Sequence, residues 1–338
     1  MAPLEYSLPV IWALLIGTAS ILYVVLDGFD LGVGILFPFF PEEKQRDLMM
    51  NSVAPYWDGN ETWLVMGGGG LWVAFPLAYS IIMPAVYLPI IALLLALIFR
   101  GVAFEFRWTA KPHHRKWDLS FAGGSIAAAF SQGLVLGALL QGIHVADGRF
   151  AGGPFDWLTP FSVFTGLALV VGYAMIGAGW LMLKTEGEVA QKARRYARPL
   201  YLALLAAIGV VSVWTPFEIP RIAERWFAWP NLLYLSPVPL ITMIVAAWGW
   251  RAIRRGSSAQ PFFAAVTLFL LAFVGLVISN VPYLVPPSVT VWQAAAAPTS
   301  QVFLLIGAVL LLPIILVYSG FVYWVFRGKI NDETGYHH

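Results

Sequence analysis

Two pairs of acidic residues, each three positions apart, stand out in a chain with few charges. Asp27 and Asp30 fall in Leu26-Asp-Gly-Phe-Asp30, inside an apolar run. Asp58 and Glu61 fall in Pro55-Tyr-Trp-Asp-Gly-Asn-Glu-Thr-Trp63, just ahead of a second such run. A three-residue spacing sets both members of a pair on one helix face. Carboxylates are costly to take out of water, so acids within or at the mouth of apolar segments mark proton or ion paths by default. Crowded in a low dielectric, such groups are placed to exchange protons. For Asp58 and Glu61 a plainer reading stands beside this one. Asp58 could be an N-cap with Glu61 at the third helical position, as in a capping box.

The elements that must hold these acids are membrane helices. The chain is 59% hydrophobic and 11% charged, with a mean hydropathy of +0.76, whereas soluble domains carry about a quarter charged residues. Its 15 tryptophans, 23 phenylalanines and 13 tyrosines suit aromatic belts at two membrane interfaces. A spanning helix needs about 20 apolar residues. That rule predicts an all-α bundle of nine spans over 8–36, 56–75, 77–99, 119–142, 158–183, 199–217, 235–253, 260–281 and 302–326, forming one domain over 1–338. The first run lacks a basic n-region and a small-residue cleavage site, so it reads as a retained span. Of the 20 Lys and Arg residues, all but Arg149, Arg221 and Arg225 follow odd-numbered spans. The positive-inside rule then puts the N-terminus outside and the C-terminus in the cytoplasm. Both acidic pairs come out at similar depth, toward the cytoplasmic side.

Several other features bear on chemistry. Phe99-Arg-Gly-Val-Ala-Phe-Glu-Phe-Arg107 closes the third span. Arg100 and Glu105 could pair with the acids, and Arg107 reads as an interfacial charge reaching lipid phosphate or a partner. The basic run Lys111–Lys116, with His113 and His114, reads as a positive-inside loop. No cysteine is present, which excludes thiolate metal sites and iron–sulfur clusters. Haem in a helix bundle wants histidine ligands or a His/Met pair. His113, His114, His144, His337 and His338 all fall outside the spans, so this chain is expected to hold no haem and no metal. Gly67–Gly70 lacks the lysine and hydroxyl of a phosphate loop. It reads as a close-packing surface, with a broken helix as the alternative. Glu218–Pro230 reads as a short amphipathic helix at the outer interface. Gly142–Pro160 reads as an external turn, and Ser279–Gln301 as an irregular external segment.

Four ordered stretches go beyond composition: Leu26-Asp-Gly-Phe-Asp-Leu-Gly-Val-Gly34, Asn51-Ser-Val-Ala-Pro-Tyr-Trp-Asp-Gly-Asn60, Phe99–Arg107 and Leu139-Leu-Gln-Gly142. With Leu312-Pro-Ile-Ile-Leu-Val-Tyr-Ser-Gly-Phe-Val-Tyr-Trp324, they resemble subunit II of the cytochrome bd-type quinol oxidases, including cyanide-insensitive oxidases of that type. The resemblance implies a nine-helix, haem-free subunit packed against a haem-bearing subunit I. The complex would oxidise quinol and reduce O2 to water at haems b and d in subunit I. Subunit II would help deliver cytoplasmic protons, contributing to proton motive force without pumping. By similarity the proton path includes Asp27, Asp30 and Asp58, with Trp57 beside the last and Glu61 as a less conserved companion. Membrane lipid, small single-helix accessory subunits and a structural quinone are further expected partners, nucleic acid is not, and the bacterial inner membrane is the expected location. The rival reading is a proton-coupled transporter with Asp27, Asp30 and Asp58 as coupling acids and a helix broken at Gly67–Gly70.

Overall fold

The computed structural model describes residues 3–110 and 114–330, with side chains from residue 6 onward. Lys111, His113, His337 and His338 lie outside the described residues. The elements run α1 (Pro3–Leu36), a 3-10 turn (Phe37–Phe39), α2 (Glu43–Val53), α3 (Trp57–Ala74), α4 (Pro76–Ala85), α5 (Tyr87–Thr109) and α6 (Arg115–Gln141). A hairpin of β1 (Val145–Ala146) and β2 (Arg149–Phe150) follows, then α7 (Pro160–Lys184), α8 (Gly187–Glu218), α9 (Pro220–Phe227), α10 (Asn231–Leu235), α11 (Pro237–Arg255) and α12 (Gln260–Asn280). A second hairpin, β3 (Tyr283–Val285) with β4 (Val289–Thr290), leads through α13 (Val291–Ala294) to α14 (Pro298–Val325). The fold is an all-α bundle with two small hairpins at one end.

Among the described residues, eight helices are long and apolar enough to cross a membrane: α1, α5, α6, α7, α8, α11 together with α10, α12 and α14. The ninth expected span is α3. Its first turns carry Asp58, Asn60 and Glu61, which keep it below the hydropathy of a spanning segment. It still runs antiparallel along α1, with Asn60 beside Asp30 near one end and Gly70 against Ile16 near the other. The glycine run does not break it, because α3 is continuous from Trp57 to Ala74.

The third span departs from expectation. The stretch 77–99 divides at Val86 into α4, which packs on the β3–β4 hairpin and α13, and a later span, α5. Pro84 and Pro89 explain the break: neither offers an N–H, and each ring crowds the turn before it. Arg100, expected just past the end of that span, therefore lies inside α5, and Arg107 lies in its last turn.

The segments after α1, α5, α7, α11 and α14 meet at one end of the bundle. There Lys192 Nζ donates to Gln45 Oε1 (2.7 Å), Lys329 pairs with Glu186 (3.4 Å), and Thr185 pairs with Ile330. The hairpins, α4, α9, α10 and α13 form the opposite end. The Glu218–Pro230 stretch gives the expected short amphipathic helix as α9. Gly142–Pro160 and Ser279–Gln301 are better ordered than a turn and an irregular segment, each containing a hairpin.

Membrane bundles lack a hydrophobic drive between helices, so close packing of small residues must join them. A Cβ at Gly32 would lie 1.9 Å from the Tyr173 carbonyl oxygen, and one at Gly133 would lie 2.5 Å from Gly166 Cα. These contacts draw α1, α6 and α7 together at the centre. The outer helices bury little. Within α14 only Gln301 is buried, and Phe303, Leu310, Val317 and Tyr318 are exposed, as suits a surface facing lipid or a partner.

Candidate functional site: a buried carboxylate–arginine cluster

Asp27 and Asp30 sit on the inward face of α1, both fully buried. The guanidinium of Arg100 comes to them from α5, itself fully buried. Its Nη1 lies 2.7 Å from Asp27 Oδ1 and 3.1 Å from Glu61 Oε1, and its Nη2 lies 3.9 Å from Asp30 Oδ2. Three carboxylates thus share one cation. Glu61 keeps 24% of its side-chain surface exposed, whereas the other three keep none. It is the member that connects the buried charges to the surface of α3.

Amides and hydroxyls extend the cluster in two directions. Asn60 Nδ2 donates to Asp30 Oδ2 (2.7 Å), and the Tyr323 hydroxyl of α14 donates to Asn60 Oδ1 (2.9 Å). On the other side the Tyr173 hydroxyl donates to Gln132 Oε1 (2.7 Å), and Gln132 Nε2 donates to the Tyr23 hydroxyl (2.9 Å). Tyr23 lies one turn before Asp27, close enough to interact with its carboxylate. Buried polar groups of this kind are held by mutual hydrogen bonds, since each would be costly alone.

The structure treats the expected site residues differently. Asp27, Asp30, Glu61 and Arg100 come together, as the chemistry required. Asp58 does not join them: it is exposed on the first turn of α3 and makes no ion pair among the described residues. It is not a cap either. The N-cap of α3 is Tyr56, with no side-chain cap bond, and Glu61 turns to Arg100 instead of to the helix start. Trp57 stacks on Phe104 of α5, with ring centroids 4.7 Å apart and planes 4° apart. Glu105 is exposed and likewise unpaired among the described residues.

Arg107 corrects the expectation of an interfacial charge. It is fully buried, with Nε 2.6 Å from Asp118 Oδ1 and Nη1 2.5 Å from Asp47 Oδ1, and it lies over Phe37 and Trp108. Two turns beyond Arg100, it lies on the same inward face of α5. Arg46 reaches the other oxygen of Asp118 at 3.5 Å. His114 belongs to this end too, 3.8 Å from Glu43, instead of standing in an open loop. The second cluster ties α2 to α5 and α6.

Asn60, Tyr23, Gln132, Tyr173 and Tyr323 were given no role from sequence. Asn60 had a visible signal, since it stands within the acidic motif. The others come from distant segments, and nothing local marks them.

No group of three or more His, Asp or Glu is arranged to hold a metal ion among the described residues. The two described histidines lie at opposite ends of the bundle, His114 beside Glu43 and His144 before β1. Those two side chains are therefore not placed to ligate one haem together.

The family model for cytochrome bd terminal oxidase subunit II matches residues 8–326. The chain is 29% identical to cytochrome bd-I ubiquinol oxidase subunit 2 of Escherichia coli, over 96% of this chain and 95% of that one. It is 27% identical to cytochrome bd ubiquinol oxidase subunit 2 of Bacillus subtilis, over 97% and 98%. A solved structure of bd oxidase from Geobacillus thermodenitrificans shares the fold, with a TM-score of 0.76 at 17% identity, covering 95% of this chain and 98% of that one. With the family model spanning nearly its whole length, the chain belongs to the cytochrome bd terminal oxidase subunit II family.

Proposed function

We propose that this chain carries protons from the cytoplasm toward the oxygen-reducing site of its oxidase, through the cluster of Asp27, Asp30, Glu61 and Arg100. As a subunit II, the chain is a multi-pass protein of the bacterial inner membrane and part of an oxidoreductase complex with a subunit I. Haems b and d are assigned to that partner, which supplies the electron transfer and oxygen chemistry. This chain contributes no catalytic residue, and quinol is a substrate of the complex.

One observation carries the proposal. Three carboxylates share a single buried guanidinium, and one of the three, Glu61, opens to the surface of α3. The charges cannot all balance within the cluster, so a proton can reside among the acids and move between them. Asp58 lies one turn before Glu61 on α3, exposed on a face continued by Thr62, Val65, Gly69 and Trp72. We assign that face to subunit I, so that Asp58 and Glu61 stand where the two subunits meet. Orientation follows from charge: with the basic end in the cytoplasm, the cluster lies on the side from which protons are drawn. If quinol protons leave on the outside, each electron then separates one charge. Against 100 mV that stores about 2.3 kcal/mol per charge, so the path must open to the cytoplasm alone.

The test has two parts. The complex purified through a tag on this chain should show haem bands in a reduced-minus-oxidised spectrum. Asp58→Asn and Glu61→Gln should then slow oxygen consumption at unchanged haem content. Full turnover in a correctly assembled double variant would remove the proton role.

A further inference from the structure

At the end of the bundle opposite the basic segments, Arg149, Arg221 and Arg225 are the whole complement of Lys and Arg among the described residues. Two of the three meet. Arg221 and Arg225 lie one turn apart on α9 and reach the C-terminal ends of α6 and α12. Arg221 Nη2 donates to the Leu140 carbonyl (2.9 Å) and to Asn280 Oδ1 (3.1 Å), and its Nη1 to the Ser279 carbonyl (3.3 Å). Arg225 Nη1 donates to the carbonyls of Ile278 (2.9 Å) and Val281. These bonds satisfy carbonyls that helix ends leave without partners. They leave donors over. Arg225 Nη2 and both Nε groups make no hydrogen bond among the described residues.

Neither guanidinium forms an ion pair there. Burial, and then repulsion from Arg225, press Arg221 below the usual arginine range. Beside them opens a cavity of about 500 Å³ lined by Arg221, Glu224, Arg225, Asn231, Leu235 and Ile278. Two cations face one carboxylate, so the cavity is net positive. Leu235 and Ile278 make its lining partly apolar, and the adjoining Phe227, Trp229, Leu233 and Tyr234 are exposed. Aromatic side chains so placed mark the headgroup level of a membrane.

We propose that this cavity binds the phosphate headgroup of an anionic phospholipid, with the spare donors of Arg221 and Arg225 on the phosphate and the acyl chains against the apolar rim. A phosphate accepts charge-assisted bonds from a guanidinium, and here it would relieve the repulsion between two adjacent cations. The apolar lining residues Leu235 and Ile278, with the exposed aromatic rim, favour a lipid over a free anion.

Native mass spectrometry of the intact, delipidated oxidase complex tests this, titrated with phosphatidylglycerol, phosphatidylcholine or inorganic phosphate. Phosphatidylglycerol should be retained at least roughly tenfold more tightly than phosphatidylcholine, and inorganic phosphate should not displace it. Arg225→Gln should weaken that retention roughly tenfold, as loss of a charged hydrogen bond implies. Because Arg225 also caps α12, Leu235→Trp serves as a second variant; it narrows the cavity and leaves both arginines' bonds in place. It should lower retention as well. Equal retention of the two lipids, unaltered phosphatidylglycerol binding in assembled Leu235→Trp complex, or displacement by inorganic phosphate at matched concentration would each overturn the assignment.

Discussion

Arg100 Nη1 lies 2.7 Å from Asp27 Oδ1, with both side chains wholly buried. A buried pair of this kind adds little net stability, because desolvation offsets the attraction. Removing one partner is costly, since a charge is left alone, at about 3–5 kcal/mol. The two partners are not equivalent here. Asp27→Asn leaves Arg100 with Glu61 and Asp30, whereas Arg100→Met strands three acids. Arg100→Met should therefore lower the melting temperature of the purified complex, or its yield, far more than Asp27→Asn. Equal losses would show that Arg100 is not the hub of the cluster.

Tyr323 is hydrogen-bonded to Asp30 through Asn60. An amide can orient a carboxylate but does not carry a proton, which makes Asn60 a positioning residue. Tyr323→Phe removes one neutral hydrogen bond, about 1 kcal/mol. Asn60→Ala should cost more, because it frees Asp30 as well. Melting curves should rank the two variants in that order. Asn60→Ala should also lower turnover at full haem content, and Asn60→Gln, which keeps an amide donor, should restore part of it. Turnover untouched by Asn60→Ala would sink the positioning role.

The glycines separate packing from surface. A Cβ at Gly32 would meet the Tyr173 carbonyl oxygen at 1.9 Å, while one at Gly69 would meet nothing within 4 Å. Gly32→Ala must push α1 from α7, next to Asp30. It should abolish accumulation of the chain in membranes. Gly69→Ala should leave the chain itself intact and, on the proposed assignment of that outward face to subunit I, disturb only the union of the two subunits. Quantifying this chain and its partner separately in membranes distinguishes the two effects. Normal accumulation of Gly32→Ala would mean that the close approach is dispensable.

Much of this was legible in the residues. Apolar length and charge alternation gave the spans, since both follow from the cost of crossing a bilayer. The grouping of Asp27, Asp30 and Glu61 was visible because charge is rare within apolar runs, whereas Asp58 carries the same signal and lies outside the cluster. Arg107 was misread for a physical reason: its partners, Asp47 and Asp118, lie in other segments, and chain order does not reveal that they converge. The α4–α5 break was missed because Pro84 and Pro89 sit within an unbroken apolar run. Hydropathy is blind to a missing N–H. The Tyr23–Gln132–Tyr173 chain joins α1, α6 and α7, and only the packing of those helices brings it together.

Lys184, at the end of α7, yields the last prediction. It is buried without a carboxylate partner among the described residues. Its Nζ donates to the Phe326 carbonyl, to the Tyr56 hydroxyl (3.1 Å) and to the Gly328 carbonyl (3.3 Å). The Tyr56 hydroxyl donates to the same Phe326 carbonyl (2.8 Å), and Ile330 N donates to the Lys184 carbonyl (2.7 Å). A cation at the C-terminal end of a helix suits its dipole, so Lys184 caps α14 across the bundle. α14 buries little of its own surface and carries Tyr323, which makes this clasp one of its few polar anchors. Lys184→Met keeps the length of the side chain and removes its charge. A charged hydrogen bond contributes about 1.5–3 kcal/mol, which corresponds to roughly ten- to a hundredfold in the population of the opened segment. Trypsin cleaves after Arg327 and Lys329, within that segment. Cleavage there should therefore accelerate in Lys184→Met by about that factor, and an unchanged rate would show that α14 is held without the clasp.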